Sequence, residues 1–308
     1  MAFETHEPFD LERIRKNLNI KPKSIDNFPI PISELEKIYD NYQANLSQLE
    51  MLRGEILATL NGELKGKVHS IRCRIKDADH LIEKIIRNVN CKPDKYKLIS
   101  MENYNKIITD LIGVRIIILD KRDWKEVHQS LLKIFQNKPE RYVVSPEDII
   151  TNYDKFYDEA MTERRKLDYS YHAEKPVVYI TSEEDRNIYI DDNLKIDTSK
   201  SHYRSIHYII RYGFAYFEIQ VRTLFEEGWL EFDHRIKYPY DQNNKKKQEY
   251  ASVLSNLAIA ADWLISFYKE SNFQQELSDM EQEEAEKEIA KEEDNSNLNL
   301  EDRMKLLF

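Results

Sequence analysis

The chain has 308 residues, 33% of them charged, a formal net charge of −10, and only six glycines and nine prolines. That length accommodates one large domain or two ordinary ones, and the scarcity of chain-breaking residues favours a helix-rich globular protein. Two cysteines, Cys73 and Cys91, exclude a disulfide framework and a cysteine metal site, which suits a reducing compartment. The first residues, MAFETHEPFDLER, carry acids where a signal peptide needs an apolar run. No stretch approaches the ~18 apolar residues of a membrane span, so a cytoplasmic protein without membrane contact is expected.

The charge is unevenly placed. Residues 275–294 carry ten acids and two lysines, a net of −8, which reads as an exposed helix or a disordered tail. Residues 65–97 carry ten Lys or Arg against four acids, a net of +6. A basic segment in a near-neutral body points to a local anion site rather than a general nucleic-acid surface.

In chain order, residues 1–30 read as irregular. A helix is expected from Ser33, with Glu36 completing a capping box, and Leu35, Ile38, Tyr42, Leu46, Leu49, Ile56 and Leu60 form its apolar stripe. A second helix covers 78–90, and a short one covers Met101–Thr109. The strand Gly113–Leu119, GVRIIIL, is nearly all apolar and belongs in the centre of a sheet. Trp124–Phe135 is amphipathic. Residues 137–200 are the least legible, with strands expected at 176–180 and 187–190.

Tyr203–Thr223, YRSIHYIIRYGFAYFEIQVRT, holds two alternating runs around Gly213 and reads as a hairpin. Period two puts Tyr203, Ser205, His207, Glu218, Gln220 and Arg222 on one surface. An aromatic ring, an imidazole, a carboxylate and a guanidinium there suggest a nucleotide site; the plainer reading is a solvated sheet face. Thr223 with Glu226 caps a following helix that turns Phe225, Trp229 and Phe232 inward. A last helix, about 245–270, is expected to bury Val253, Leu254, Leu257, Ala261, Leu264 and Phe267.

Three segments converge on phosphate chemistry. Arg74 and Lys76, with Lys84 two helical turns on, make a cationic ladder suited to a triphosphate; a solvated basic face is the alternative. Asp110 precedes the central strand, where a carboxylate suits Mg²⁺, an ion that needs only one or two protein carboxylates when phosphates supply other ligands. Arg115 lies within that apolar strand and reaches either a phosphate or a structural partner such as Asp110. The third segment is the hairpin with its helix, ending Asp233-His234-Arg235. Neither a P-loop nor a dinucleotide fingerprint occurs, so side chains and a metal must hold any phosphates.

HSIRCRIKDADHLIEKII, DLIGVRIIIL, YRSIHYII and FEIQVRTLFEEGWLEFDHRIKYP resemble, in order, the synthetase domain of the RelA/SpoT-type alarmone synthetases. The resemblance implies an α/β (α+β) fold: a nucleotidyltransferase-like mixed sheet with a catalytic antiparallel hairpin, wrapped by helices. It divides the chain into an extension and long helix at 1–60, a synthetase domain at 61–240 with an insertion near 137–200, and a C-terminal helix and acidic tail at 241–308. It implies a Mg²⁺-dependent pyrophosphokinase that moves the β,γ-pyrophosphoryl group of ATP onto the 3′-hydroxyl of GDP or GTP. Carried over residue by residue, Arg74, Lys76, Lys84, His207 and Arg115 meet ATP, Asp110 binds the metal, and Glu218 shares the metal or activates the hydroxyl. Tyr203 stacks on the acceptor base, and Lys200, Gln220, Arg222 and His234 shape the acceptor pocket.

Two departures stand out, the first being a stretch between Asp110 and Tyr203 much longer than in compact family members, which suggests an inserted element near the acceptor site. The family's Lys-x-Asn-Gly run before the tyrosine is here Ser199-Lys200-Ser201-His202, which puts guanine selectivity in question. None of the eight histidines precedes an aspartate, so the His-Asp signature of the long members' hydrolase domain is missing, and a small stand-alone synthetase is expected. The same chemistry with another acceptor, the 3′ end of tRNA or an adenosine nucleotide as in toxin-type relatives, is the nearest rival. A non-catalytic interaction protein on this fold is a further one. A homo-oligomer and an antitoxin or regulatory partner are both compatible with the resemblance.

Overall fold

The computed structural model describes residues 7–21, 24–25, 28–135, 170–181, 183–199, 203–212, 215–237, 244–271 and 287. The expected turn at Gly213, the acidic tract at 275–294 apart from Lys287, and most of the 137–200 region lie outside these residues.

Four helices and one strand come first. They are α1 (Leu11–Asn17), α2 (Ile32–Ala44), α3 (Leu46–Glu63), β1 (Ser70–Ile75) and α4 (Ala78–Cys91). α1 falls in the region expected to be irregular; Asp10 accepts a hydrogen bond from the Arg13 amide and caps it. The helix expected to run unbroken from Ser33 is instead two, joined at Asn45. Its start also differs. Pro31 occupies the N-cap with no side-chain bond, which puts Ser33 inside the first turn and leaves the expected capping box unused. The apolar stripe holds: Leu35, Ile38, Tyr42, Leu49, Ile56 and Leu60 are all buried.

The sheet supports the α+β reading. Its strands are β1, β2 (Ile112–Ile118), β3 (Tyr171–His172), β4 (Val177–Ile180), β5 (Lys195–Thr198), β6 (Ser205–Tyr212) and β7 (Ala215–Thr223). They lie in the order β1-β2-β7-β6-β4-β5, with β3 paired to β6. β2 sits between antiparallel β1 and parallel β7, and β6 and β7 form the expected antiparallel hairpin. The strand expected at 187–190 is absent; the edge strand is Lys195–Thr198, parallel to β4. Met101–Thr109 contributes one helical turn, Tyr104–Ile107.

Strand alternation gives the sheet two unlike faces. One buries Val114, Ile116, Ile206, Tyr208, Ile210, Phe217, Ile219 and Val221. Registered pairs place Arg74, Gly113 and Glu218 together on the other, then Arg72, Arg115, Gln220 and His207. Burying the first face removes the apolar side chains from water, and the second is left to polar groups.

The helix Leu224–Lys237 follows β7 and opens with the expected capping box: Thr223 N donates to Glu226 Oε2 at 2.9 Å and Glu226 N to Thr223 Oγ1 at 3.1 Å. Of its three aromatics, Trp229 is buried, but Phe225 and Phe232 are 38% and 51% exposed, against expectation. The helix Lys245–Ser271 reverses its expected inner face. Ala251, Ser255 and Ala258 are buried, while Val253 is 57% and Leu257 62% exposed. Small side chains let a helix approach its neighbour closely; here Trp229 Nε1 donates to Ala251 O at 2.9 Å. Further along, Leu264 and Phe267 are also exposed. This helix is 27 residues long with a mean hydropathy of 1.3 in its apolar window, long and apolar enough to cross a membrane by length and composition. That corrects the expectation that no stretch approaches a span. Among its polar residues, serines, an asparagine and one aspartate interrupt the apolar run without making it strongly charged.

The chain divides into two compact units, residues 1–259 and 260–308. The sheet lies wholly in the first. Of the second, the described residues are the last turns of the long helix and Lys287.

Candidate active site

The polar face of the sheet holds a cavity of about 230 Å³, lined by Arg72, Arg74, Lys76, Asp110, Gly113, Arg115, Glu218 and Gln220. Three loci built by separate stretches of chain meet there.

The first is cationic. β1 alternates as Ser-Ile-Arg-Cys-Arg-Ile, so Arg72 and Arg74 share the polar face. Neither forms an ion pair among the described residues. Arg74 lies across Gly113, where an added Cβ would stand 3.9 Å from its Cγ and Nε. Lys76 follows the strand, its amide held by Leu111 O at 2.9 Å and its carbonyl by the Tyr42 hydroxyl at 2.6 Å. Lys84 lies in α4, whose N-cap Asp77 accepts from the amides of Asp79 and His80.

The second locus is Asp110. Lys76 Nζ and Lys84 Nζ both reach its Oδ2, at 3.0 and 2.7 Å. Burial alone would raise this carboxyl, but the two ammonium groups outweigh it and hold Asp110 below its ordinary value. Its other oxygen, Oδ1, is buried with no hydrogen-bond partner among the described residues. A buried anionic oxygen left unsatisfied is costly, and a cation is its natural complement.

The third locus is the hairpin. His207 Nδ1 lies 3.0 Å from Glu218 Oε1, and Gln220 Nε2 donates to Glu218 Oε2 at 2.7 Å. His207 Nε2 lies 2.5 Å from the Tyr203 hydroxyl, to which Arg222 Nη2 donates at 2.7 Å. The same Nη2 donates to Gln220 Oε1, so the contacts close a ring through five side chains. With Nδ1 facing a carboxylate, His207 donates to Glu218, while Arg222 donates to Tyr203. Both oxygens of Glu218 thus accept a bond that leads back to one guanidinium. Burial would raise the Glu218 carboxyl, but the His207 bond and charge hold it below the ordinary value, against an opposing push from Asp110.

Arg115 does not pair with Asp110. It bridges Glu227, at 2.7 Å, and Glu231, while also lining the cavity. Glu227 Oε2 takes Arg222 Nη1 at 2.9 Å, so one carboxylate of the helix Leu224–Lys237 holds an arginine from each of β2 and β7. Glu227 and Arg72 were not singled out from the sequence. For Arg72 the signal was present in its alternation with Arg74; for Glu227 it depended on a contact spanning 112 residues. Lys200 lies outside the described residues, as does the side chain of His234, whose backbone is helical.

Among the described residues no group of three or more His, Cys, Asp or Glu side chains could hold a metal alone. A pair of carboxylates, one with an unsatisfied oxygen, beside unpaired arginines is a donor set for a divalent cation shared with a phosphate chain.

A family model described as the region found in RelA / SpoT proteins matches residues 73–243. No curated protein matches. Solved structures similar to this chain include the small alarmone synthetase 1 from Bacillus subtilis, at 16% identity over 76% of this chain and 99% of that one, TM-score 0.46. A GTP pyrophosphokinase family protein from Streptococcus pneumoniae matches at 16% identity over 75% and 91%, TM-score 0.45.

Proposed function

The chain belongs to the RelA/SpoT family, and from that membership we propose that it is a Mg²⁺-dependent pyrophosphokinase acting on ATP and a guanosine nucleotide. In the proposed reaction the 3′-hydroxyl oxygen of GDP or GTP attacks the β-phosphorus of ATP. The new O3′–Pβ bond forms as the bond from Pβ to the α,β-bridging oxygen breaks, AMP leaves with that oxygen, and Glu218 takes the hydroxyl proton.

The observation that carries this reading is that Asp110 and Glu218 line one cavity with Arg72 and Arg74, which form no ion pair among the described residues. Phosphoryl-type transfer needs positioning and charge neutralisation more than covalent catalysis. Arg72, Arg74 and Lys76 supply fixed positive charge for the phosphate chain. Asp110 and Glu218 fit as the protein ligands of Mg²⁺, with the unsatisfied Oδ1 of Asp110 as the group that lacks a partner without it. When bound, the ion neutralises charge on the transferred phosphates. Held below its ordinary value, Glu218 is ionised at neutral pH, ready to accept a proton or a cation. Tyr203, gripped through its hydroxyl, presents its ring for the acceptor base.

Incubation with γ-labelled ATP and, separately, GDP, GTP, ATP and tRNA tests the reading. Label in a guanosine nucleotide supports it. Label in tRNA or in an adenosine nucleotide replaces it with the toxin-type reaction on the same site. No transfer to any acceptor, with nucleotide binding intact, leaves a binding protein.

A further inference from the structure

β4 and β5 come from the stretch that was least legible in the sequence, and they extend the polar face of the sheet beyond the hairpin. Tyr179 of β4 pairs in register with Ser205 of β6 on one side and Asp197 of β5 on the other. Registered partners share a face, so Tyr179 and Asp197 stand on the same surface as His207 and Glu218. The Tyr179 ring lies 5.7 Å from that of Tyr203 and 5.0 Å from that of His207, edge-to-face in both cases. Tyr203 is heavily committed: its hydroxyl is held by Arg222 and His207, and the Arg222 guanidinium lies 5.2 Å from its ring centre. Tyr179 is half-buried, and among the described residues its hydroxyl makes no hydrogen bond. Asp197 is exposed and forms no ion pair among the described residues. Burial first, and then the Asp197 charge, raise the Tyr179 hydroxyl above its ordinary value, in keeping with their register.

We propose that Tyr179 and Asp197 read the base of the acceptor nucleotide, Tyr179 by standing edge-to-face to Tyr203 and flanking the base stacked there, and Asp197 by accepting the adjacent N1–H and N2–H bonds of guanine. The proposal rests on the function assigned above and deepens it. A carboxylate accepts only, and guanine presents two neighbouring donors on that edge, whereas adenine presents an acceptor beside its amino group. Selectivity is then supplied from the sheet edge rather than from the pre-tyrosine run, where this chain lacks the Asn-Gly pair. A charged residue on an edge strand also deters strand pairing, and that role alone predicts no change in base preference.

The test is calorimetric titration of the full chain, without ATP, with GDP and with IDP, which lacks only the N2 amino group. The wild type should bind GDP more tightly. Tyr179→Ala should weaken GDP roughly 2- to 12-fold, the range of one edge-to-face aromatic contact, and Tyr179→Phe should keep the wild-type affinity within about twofold. Asp197→Asn should narrow the GDP-to-IDP ratio by about fivefold or more, with the KM for ATP unchanged within about twofold. A ratio unmoved by Asp197→Asn, wild-type GDP affinity in Tyr179→Ala, or a wild type that does not bind GDP overturns the proposal. If these binding effects appear but no pyrophosphate is transferred, the base site stands and the pyrophosphokinase reading fails; transfer to GDP with an unmoved ratio fails this proposal alone.

Discussion

Glu218 is held at both oxygens, and the group that sets its charge state is His207. Burial pushes its carboxyl up, and the imidazole reverses that push. With the folded value depressed, Glu218 contributes stability above the ordinary 4.5, and that contribution is lost as pH falls through the folded value. The acid limb of kcat/KM should therefore lie below pH 4.5 in the wild type. His207→Asn removes the imidazole that offsets burial, so the limb should move above 4.5; pH–rate profiles of the two proteins check this, and coincident limbs would contradict it. Tyr203 offers a second check at this scale. Tyr203→Ala should raise the acceptor KM roughly tenfold, within the range of one stacked base, and leave the KM for ATP near the wild-type value, as read in steady-state kinetics with each substrate varied.

At the scale of elements, the capping box at Thr223 anchors the helix that delivers Glu227 to Arg115 and Arg222. Thr223→Ala should cost about 1 kcal/mol, the usual worth of an N-cap, and lower Tm by roughly 2–4 °C. A melting curve superimposed on the wild type would show that the cap is idle. This box was legible because both of its partners lie within four residues. The hairpin was legible for a similar reason: period two assigns Phe217, Ile219 and Val221 to one face and Glu218, Gln220 and Arg222 to the other without any long-range information. The helix Lys245–Ser271 was not. Apolar side chains occur on more than one of its faces, and the choice of Val253 and Leu257 as its inner positions followed size, whereas Ala251, Ser255 and Ala258 are the ones that pack. Tyr179 and Asp197 were out of reach in another way. β5 had no alternating apolar pattern to announce it, and its value to the site comes only from its register with β4.

Over the whole molecule, one sheet does two jobs with its two faces. Its apolar side forms part of the core; its polar side aligns cations from β1, carboxylates from β7 and the approach to β2, and aromatics from β4 and the approach to β6. Central residues of β2 therefore support both. Ile116 is fully buried, and Ile116→Ala should cost about 2–5 kcal/mol in a urea titration. A cost below about 1 kcal/mol would mean that β2 is not the packed centre of the sheet.

The central claim is that Asp110 and Glu218 together serve transfer of an intact pyrophosphoryl group. The most direct measurement follows ATP labelled at both the β and γ positions in the presence of GDP, with wild type, Asp110→Asn and Glu218→Gln side by side, their melting curves recorded in parallel. The account predicts that wild type releases AMP and doubly labelled guanosine product in equal amounts, and that each variant stays folded but loses about 10²-fold or more in rate. Label divided between ADP and a singly labelled product, or a variant that keeps more than about a tenth of the wild-type rate, would contradict it.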